Sequence, residues 1–203
     1  MEELSFKEIL RSKEEKRILT GKISGIEDEY YKYKNENIPC AIIWYGETKV
    51  LIPASHLGPL KINKSMIRGM LGAEIDFIVL EVDLNSNIAI ASRIDAMNLR
   101  AQLELPKLKK NDTVKVRILA VGVKHIIVEL YGKEVSIKAE NLLHTYILNC
   151  KNYYMPGQFL KVRIKNKAIT SEISTKKRMR NILFVSFLVF TILIGRIGFI
   201  QIV

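Results

Sequence analysis

Cysteine is scarce in this 203-residue chain: Cys40 and Cys150 are the only two, and they stand far apart without paired spacing. A disulfide framework and a zinc knuckle are thereby excluded, and a reducing compartment is the default. Histidine is equally sparse, and His56, His125 and His144 have no ligand spacing around them. A glycine-rich loop ending in Lys-Ser or Lys-Thr is missing as well, so the sequence predicts no metal site and no cofactor. Ser174-Thr175-Lys176-Lys177 matches Ser-x-x-Lys in form, but the companion motifs of a serine acyltransferase are lacking, and a non-enzymatic protein is expected. The first residues lack the basic-then-apolar pattern of a signal peptide, and the Asn-x-Ser/Thr triplets at Asn63 and Asn111 are read as chance.

What the chain does have is basic charge, unevenly placed. Residues 1–96 hold 13 basic and 15 acidic side chains, whereas residues 97–203 hold 19 and 6. A basic half faces a polyanion, either nucleic acid or an anionic membrane surface. With 48% hydrophobic residues the chain can still bury a core, in one or two small domains.

An internal repeat organises most of the sequence. At an offset of 85 residues, Ile52, Ala54, Leu57, Ile62, Met70 and Gly72 recur as Ile137, Ala139, Leu142, Ile147, Met155 and Gly157. Every-second-residue apolar alternation then predicts strands over Arg17–Ile26, Ile38–Tyr45, Lys49–Ile52, Ile75–Val82 and Ile88–Arg93 in the first copy. In the second copy the runs are 114–118, 126–130, Val135–Lys138, Phe159–Lys165 and Ala168–Ile173, separated by turn signals at Gly122, Gly132 and Gly157. Five short strands per copy is the count of an OB barrel. The predicted fold class is therefore all-β, two tandem five-stranded antiparallel barrels over 17–96 and 109–175. Ser5-Phe6-Lys7-Glu8 reads as a capping box opening a short helix within residues 1–16, and Asp95–Leu105 as a helical linker in 97–108 stopped by Pro106.

The run Val50-Leu51-Ile52-Pro53-Ala54-Ser55-His56-Leu57 is similar to the Gly-Leu-Val-His-x-Ser-Glu-Leu signature of the S-one-type RNA-binding domain, named after the largest protein of the small ribosomal subunit. Gly72, the strand ending at Asp83, and Ile90-Ala91-Ser92-Arg93 follow in that family's order and spacing. The second copy, with Ile137-Lys138-Ala139-Glu140-Asn141-Leu142 in the signature position, resembles it more distantly; together the two matches cover residues 17–175. The resemblance implies OB barrels that bind single-stranded RNA, or single-stranded DNA, on an aromatic face. Here that face departs from the family, since its positions hold Pro39, Ile42 and Pro53 in the first copy and Val128 and Lys138 in the second. Base stacking is worth about 1–3 kcal/mol per base, so binding in the first module is expected to be weakened.

Other rings can substitute. Trp44 and Tyr45 end a strand, and Tyr31 and Tyr33 alternate with lysines in a loop of the kind that borders an OB groove. The bland alternatives are a Trp44 buried in the core and tyrosines lying on the barrel wall. Charge favours the second copy. Lys115 and Arg117 share one face of its first strand, and Lys161, Arg163 and Lys165 share one face of its fourth, with Lys133 and Lys138 extending the track. In an OB barrel those two strands are neighbours, so the cations repel one another unless a polyanion or solvent lies against them.

Residues 181–203 form the longest apolar stretch, with Arg196 its sole charge. As a helix it spans about 34 Å, enough for a hydrocarbon core of about 30 Å. Lys176, Lys177, Arg178 and Arg180 precede it and, by the positive-inside rule, hold the preceding chain on the cytosolic side. The same basic residues suit anionic lipid. Because the uninterrupted run Ile182–Gly195 is shorter than a span, a docked or interfacial helix is the alternative. The stretch resembles the membrane anchor that begins class B penicillin-binding proteins, which implies an anchor and none of that family's catalysis. Taken together, the sequence predicts a single-stranded RNA binder at the cytosolic membrane face. The alternatives are a membrane-tethered module that recruits a protein partner, and a fusion or fragment carrying a penicillin-binding-protein-like anchor.

Overall fold

A computed structural model describes residues 2–31, 36–59, 62–142 and 147–164. Residues 1–108 and 113–163 belong to one compact unit, which contains both sheets. Helix α1 (Glu2–Glu15) comes first. It opens ahead of the expected cap, so Ser5 and Glu8 lie inside the helix. Glu8 is engaged across the barrel instead, where its Oε2 accepts a hydrogen bond from the Tyr45 hydroxyl at 2.6 Å.

The first module is built from β1 (Leu19–Tyr31), β2 (Glu36–Tyr45), β3 (Thr48–Pro53), the short helices α2 (Ala54–Leu57) and α3 (Lys64–Gly69), β4 (Glu74–Asp83) and β5 (Ile88–Ser92). The strands close into a barrel in the order β1-β2-β3-β5-β4. The expectation of an all-antiparallel barrel is corrected at one seam, because β3 and β5 pair in parallel through Lys49↔Ile88 and Leu51↔Ile90. A closed ring with an odd number of strands cannot alternate direction all the way round, so one parallel pair is unavoidable.

Alternation fills the barrel as anticipated. Ile23, Ala41, Ile43, Val50, Ile52, Ile75, Phe77 and Val79 are buried within it, and Tyr45 meets Phe77 edge to face at 6.2 Å. Each large side chain withdrawn from water contributes about 1.5–3 kcal/mol. Helix α1 packs on this core with Ile9 and with the buried Ser12, whose hydroxyl accepts from the Val79 N–H (3.0 Å) and donates to the Arg17 carbonyl (2.7 Å). Helix α4 (Arg93–Glu104), capped by the Ser92 hydroxyl on the Asp95 N–H at 3.2 Å, leads to a single 3-10 turn at Leu105–Lys107 around Pro106.

The second sheet comprises β6 (Thr113–Val121), β7 (His125–Leu130), β8 (Lys133–Lys138) and β9 (Phe159–Arg163), in the order β8-β7-β6-β9. This repeats β3-β2-β1-β4 of the first module. The expected fifth strand, Ala168–Ile173, lies outside the described residues, as do Lys165, Tyr33, the cluster Lys176–Arg180 and the apolar stretch 181–203. Among the described residues no helix is long and apolar enough to cross a membrane.

The repeat extends to individual hydrogen bonds. The Gly72 N–H donates to the Ile23 carbonyl at 2.9 Å and the Ile23 N–H to the Ala73 carbonyl at 2.9 Å; in the second copy Gly157 donates to Ile118 at 2.8 Å and Ile118 to Gln158 at 2.8 Å. Both glycines adopt positive φ, +86° and +88°, where a side chain is strained. Both first strands carry a bulge immediately afterwards, between Ile23 and Gly25 and between Ile118 and Ala120. The offset is 95 residues from Ile23 to Ile118 but 85 from Gly72 to Gly157, which places the first module's ten extra residues in its β1–β2 hairpin.

The two glycine turns also touch, since a Cβ on Gly157 would fall 2.4 Å from the Gly72 carbonyl oxygen. Gly157→Ala should therefore destabilise the protein by at least about 1–2 kcal/mol in thermal or urea melts. Gly69→Ala, where a Cβ meets nothing within 4 Å, should leave the midpoint close to that of the wild type.

Candidate functional site

The register between β6 and β9 decides which cations meet. Lys115 lies opposite Lys161, Thr113 opposite Arg163, and Arg117 opposite Phe159, so all six side chains share one face. Lys115, Lys161 and Arg163 are exposed, and none has a carboxylate partner among the described residues. Two like charges directly across an antiparallel pair disfavour the bare sheet. The Lys115 ammonium lies over the Phe159 ring at 4.1 Å, a cation–π contact, and Phe159 itself is 45% exposed. The surface is thus a basic row with one ring set into it.

Arg117 departs from that row. It turns toward the first module, where its Nη2 is 2.8 Å from Asp76 Oδ2 and 3.1 Å from Glu129 Oε1. Burial works against its charge, but Asp76 and Glu129 outweigh that and hold its pKa above the ordinary value. Arg117 is consequently committed to ion pairs and adds nothing to the free cations. Lys133 is separated from the row in another way. It pairs with Leu130 on the sheet face that also carries Val128 and Val135, opposite to the face of Glu129 and Arg117, with β7 between its strand and β6. Lys138 shares the basic face at the far end of β8 and lies 3.7 Å from the equally exposed Glu140, a pair of little energetic weight.

In the first module Trp44 is 59% exposed, which places it on the surface and removes the core alternative. Tyr45 goes the other way: its ring packs on Phe77 and its hydroxyl is held by Glu8. Burial first, then the Glu8 hydrogen bond and charge, push its pKa up to about 12. Its ring is half-buried against the barrel core. Tyr31 ends β1. Two cations here are paired, Lys49 with Glu27 and Lys64 with Asp28.

Sequence reasoning missed a chain of charges that binds the two sheets together. Arg93, fully buried, donates from Nη1 to the Leu57 carbonyl (2.8 Å) and to Glu134 Oε1 (2.6 Å), and from Nη2 to Glu129 Oε2 (2.6 Å). Glu134 and Glu129 sit opposite each other on β8 and β7, and Arg117 is opposite Glu129 on β6. From Arg117 the chain continues to Asp76, which also accepts from Thr20 Oγ1 at 2.7 Å and from Arg100 Nε at 2.7 Å. Three arginines and three carboxylates thus alternate. Burial alone would raise the Asp76 carboxyl, but the hydrogen bond and charge of Arg117, with Thr20 and Arg100, outweigh it and hold the pKa below the usual carboxylate range. A signal existed: Asp76 lies between Ile75 and Phe77 and Glu129 between Val128 and Leu130, all four neighbours buried.

Above this chain lies a cleft of about 330 Å³, lined by residues of both modules, among them Glu74, Asp76, Arg100, Lys115, Tyr131 and Phe159. No group of three or more metal-ligating side chains exists among the described residues. No family model matches this chain, and no curated protein matches it.

Two outcomes follow from the charge chain. Removing one partner of a buried pair typically costs about 3–5 kcal/mol, so Glu129→Gln should lower the urea midpoint far more than Glu140→Gln, which breaks only the exposed pair. Asp76 sets a pH dependence. Its folded pKa lies below the ordinary value of about 3.9, so its stabilisation is present above that value and lost as pH falls through the folded one. The stability gap between wild type and Asp76→Asn should therefore be widest near neutral pH and close progressively below about pH 4.

Proposed function

We propose that the chain is a non-enzymatic single-stranded RNA-binding protein built from two tandem OB barrels of S-one type, with the β6–β9 face of the second as its contact surface. The observation that carries this reading is the basic row Lys115, Lys161 and Arg163, without carboxylate partners among the described residues and with Phe159 set into it. The closed order β1-β2-β3-β5-β4, four members of which recur in the second sheet among the described residues, supports the OB assignment. Phosphates neutralise the row and one ring offers a stacking platform, so binding is weak, salt-sensitive and led by backbone contacts.

The first barrel takes a different part in this reading. Its Lys49 and Lys64 are paired and its aromatic positions hold Pro39, Ile42 and Pro53, while Trp44 stands exposed. That exposed ring favours a protein partner there. The tether rests on composition: 181–203 carries Arg196 as its one charge, and Lys176, Lys177, Arg178 and Arg180 flank it. The protein is accordingly placed at the cytosolic face of the membrane, and the full chain should remain in the membrane fraction through alkaline carbonate and high salt.

The binding test uses the full chain in detergent with a labelled uridine-rich oligonucleotide followed by fluorescence anisotropy. Joint substitution Lys115→Glu, Lys161→Glu and Arg163→Glu should weaken binding at low salt and lower the slope of log affinity against log salt by about 2. Lys133→Gln, on the opposite face, should change neither. Equal affinity and slope for wild type and the triple variant would overturn the assignment of this surface.

A further inference from the structure

We infer that the cleft beside the basic row is a pocket for one unstacked base of the bound RNA strand, and that it selects guanine. The inference rests on the RNA-binding reading and adds a base preference to it. Most polar groups lining the cleft are already spent: Asp76 accepts from Thr20, Arg100 and Arg117, and Glu129 from Arg93 and Arg117. Glu74 is the one lining carboxylate without such a partner among the described residues. It sits two residues before Asp76 on β4, on the same face, half-buried, and its carboxylate makes no hydrogen bond or ion pair among the described residues. Its cross-strand neighbour Lys22 is exposed, with its Cε extending toward Gly72.

An unpaired carboxylate in a cleft with a half-exposed ring is a specific demand. Phe159 supplies the flat apolar surface, and Lys115, which both lines the cleft and faces Lys161 across the strands, joins the pocket to the phosphate track. Single-stranded RNA is read by bases splayed out, stacked on aromatic side chains and hydrogen-bonded on their Watson–Crick edges. Two carboxylate oxygens accept best from two adjacent N–H donors. Guanine presents such a pair in N1–H and the N2 amino group, whereas adenine and cytosine offer one exocyclic amine beside an acceptor, and uracil one N–H between two carbonyls. A ring acceptor or carbonyl set against Glu74 would be repelled. The volume of about 330 Å³ lies at the low end for small-molecule pockets and suits one nucleobase with its sugar.

The test measures affinity of the full chain in detergent for a decauridylate and for the same strand carrying one central guanine, adenine, cytosine or inosine. Guanine should bind about tenfold more tightly than the all-uridine strand. Inosine, which lacks the N2 amine, should lose most of that gain. Glu74→Gln should abolish the guanine advantage, bringing the guanine strand level with the all-uridine strand, which still binds through the basic row. Should that variant fold poorly, the comparison of guanine with inosine on the wild type decides alone. Equal affinity for all five strands, or a guanine preference that survives Glu74→Gln, overturns the pocket while the RNA-binding reading stands. If none of the strands binds, the RNA-binding reading itself falls and the pocket with it.

Discussion

Arg93 holds the two halves of the repeat together. It is the first residue of α4, at the end of the first barrel, and it is wholly buried with Glu129 and Glu134 of the second sheet in front of it and the Leu57 carbonyl beside it. Two glutamates facing each other across β7 and β8 repel, and the buried carboxylate of Glu129 is costly unless compensated, while Glu134 keeps part of its surface in water. Arg93 compensates both, and Arg117 shares Glu129. The sheet that carries the basic row is thus oriented on the first barrel by charges that cannot separate without leaving one of them buried alone.

This arrangement explains how one sheet face serves two purposes. Along β6 and β9 the same side of the pleat presents Arg117 to the first module and Lys115, Lys161 and Arg163 to solvent. Strand β6 therefore divides its cations: Arg117 neutralises Asp76 and Glu129, while Lys115, like Lys161 and Arg163 on β9, remains unpaired among the described residues. The cleft forms where the two regions meet. Glycine turns reinforce the contact at another point, since Gly157 lies against the Gly72 carbonyl too closely for any side chain.

Much of the fold is legible in the sequence because period-2 alternation and the 85-residue repeat are local signals. Strands such as Ile38–Tyr45 and Ile75–Val82 fall within about two residues of β2 and β4, and α4 ends just before Pro106 as its sequence requires. The start of α1 is misleading because Ser5 and Glu8 satisfy a capping pattern while Glu8 is in fact used by Tyr45 across the barrel. The site is only half legible. Lys115, Lys161 and Arg163 follow from alternation plus strand adjacency, but Arg117, identical in pattern, is withdrawn by carboxylates remote in sequence. Spacing alone carries no information about Asp76, 41 positions away, or about which face of β4 another module covers. Tyr45 shows the same limit: a ring at a strand end reads as exposed or buried alike until the helix that caps it is placed.

The repeat acts as one cooperative body joined through Arg93, and following the unfolding of each half separately tests this. Trp44, the chain's single tryptophan, reports the first barrel by fluorescence, and hydrogen exchange at the β6 and β7 amides reports the second sheet. Both signals should give the same unfolding free energy across a urea series, and Arg93→Met should split them. Two well-separated transitions in the wild-type protein, with the second sheet opening while Trp44 is unchanged, would contradict it.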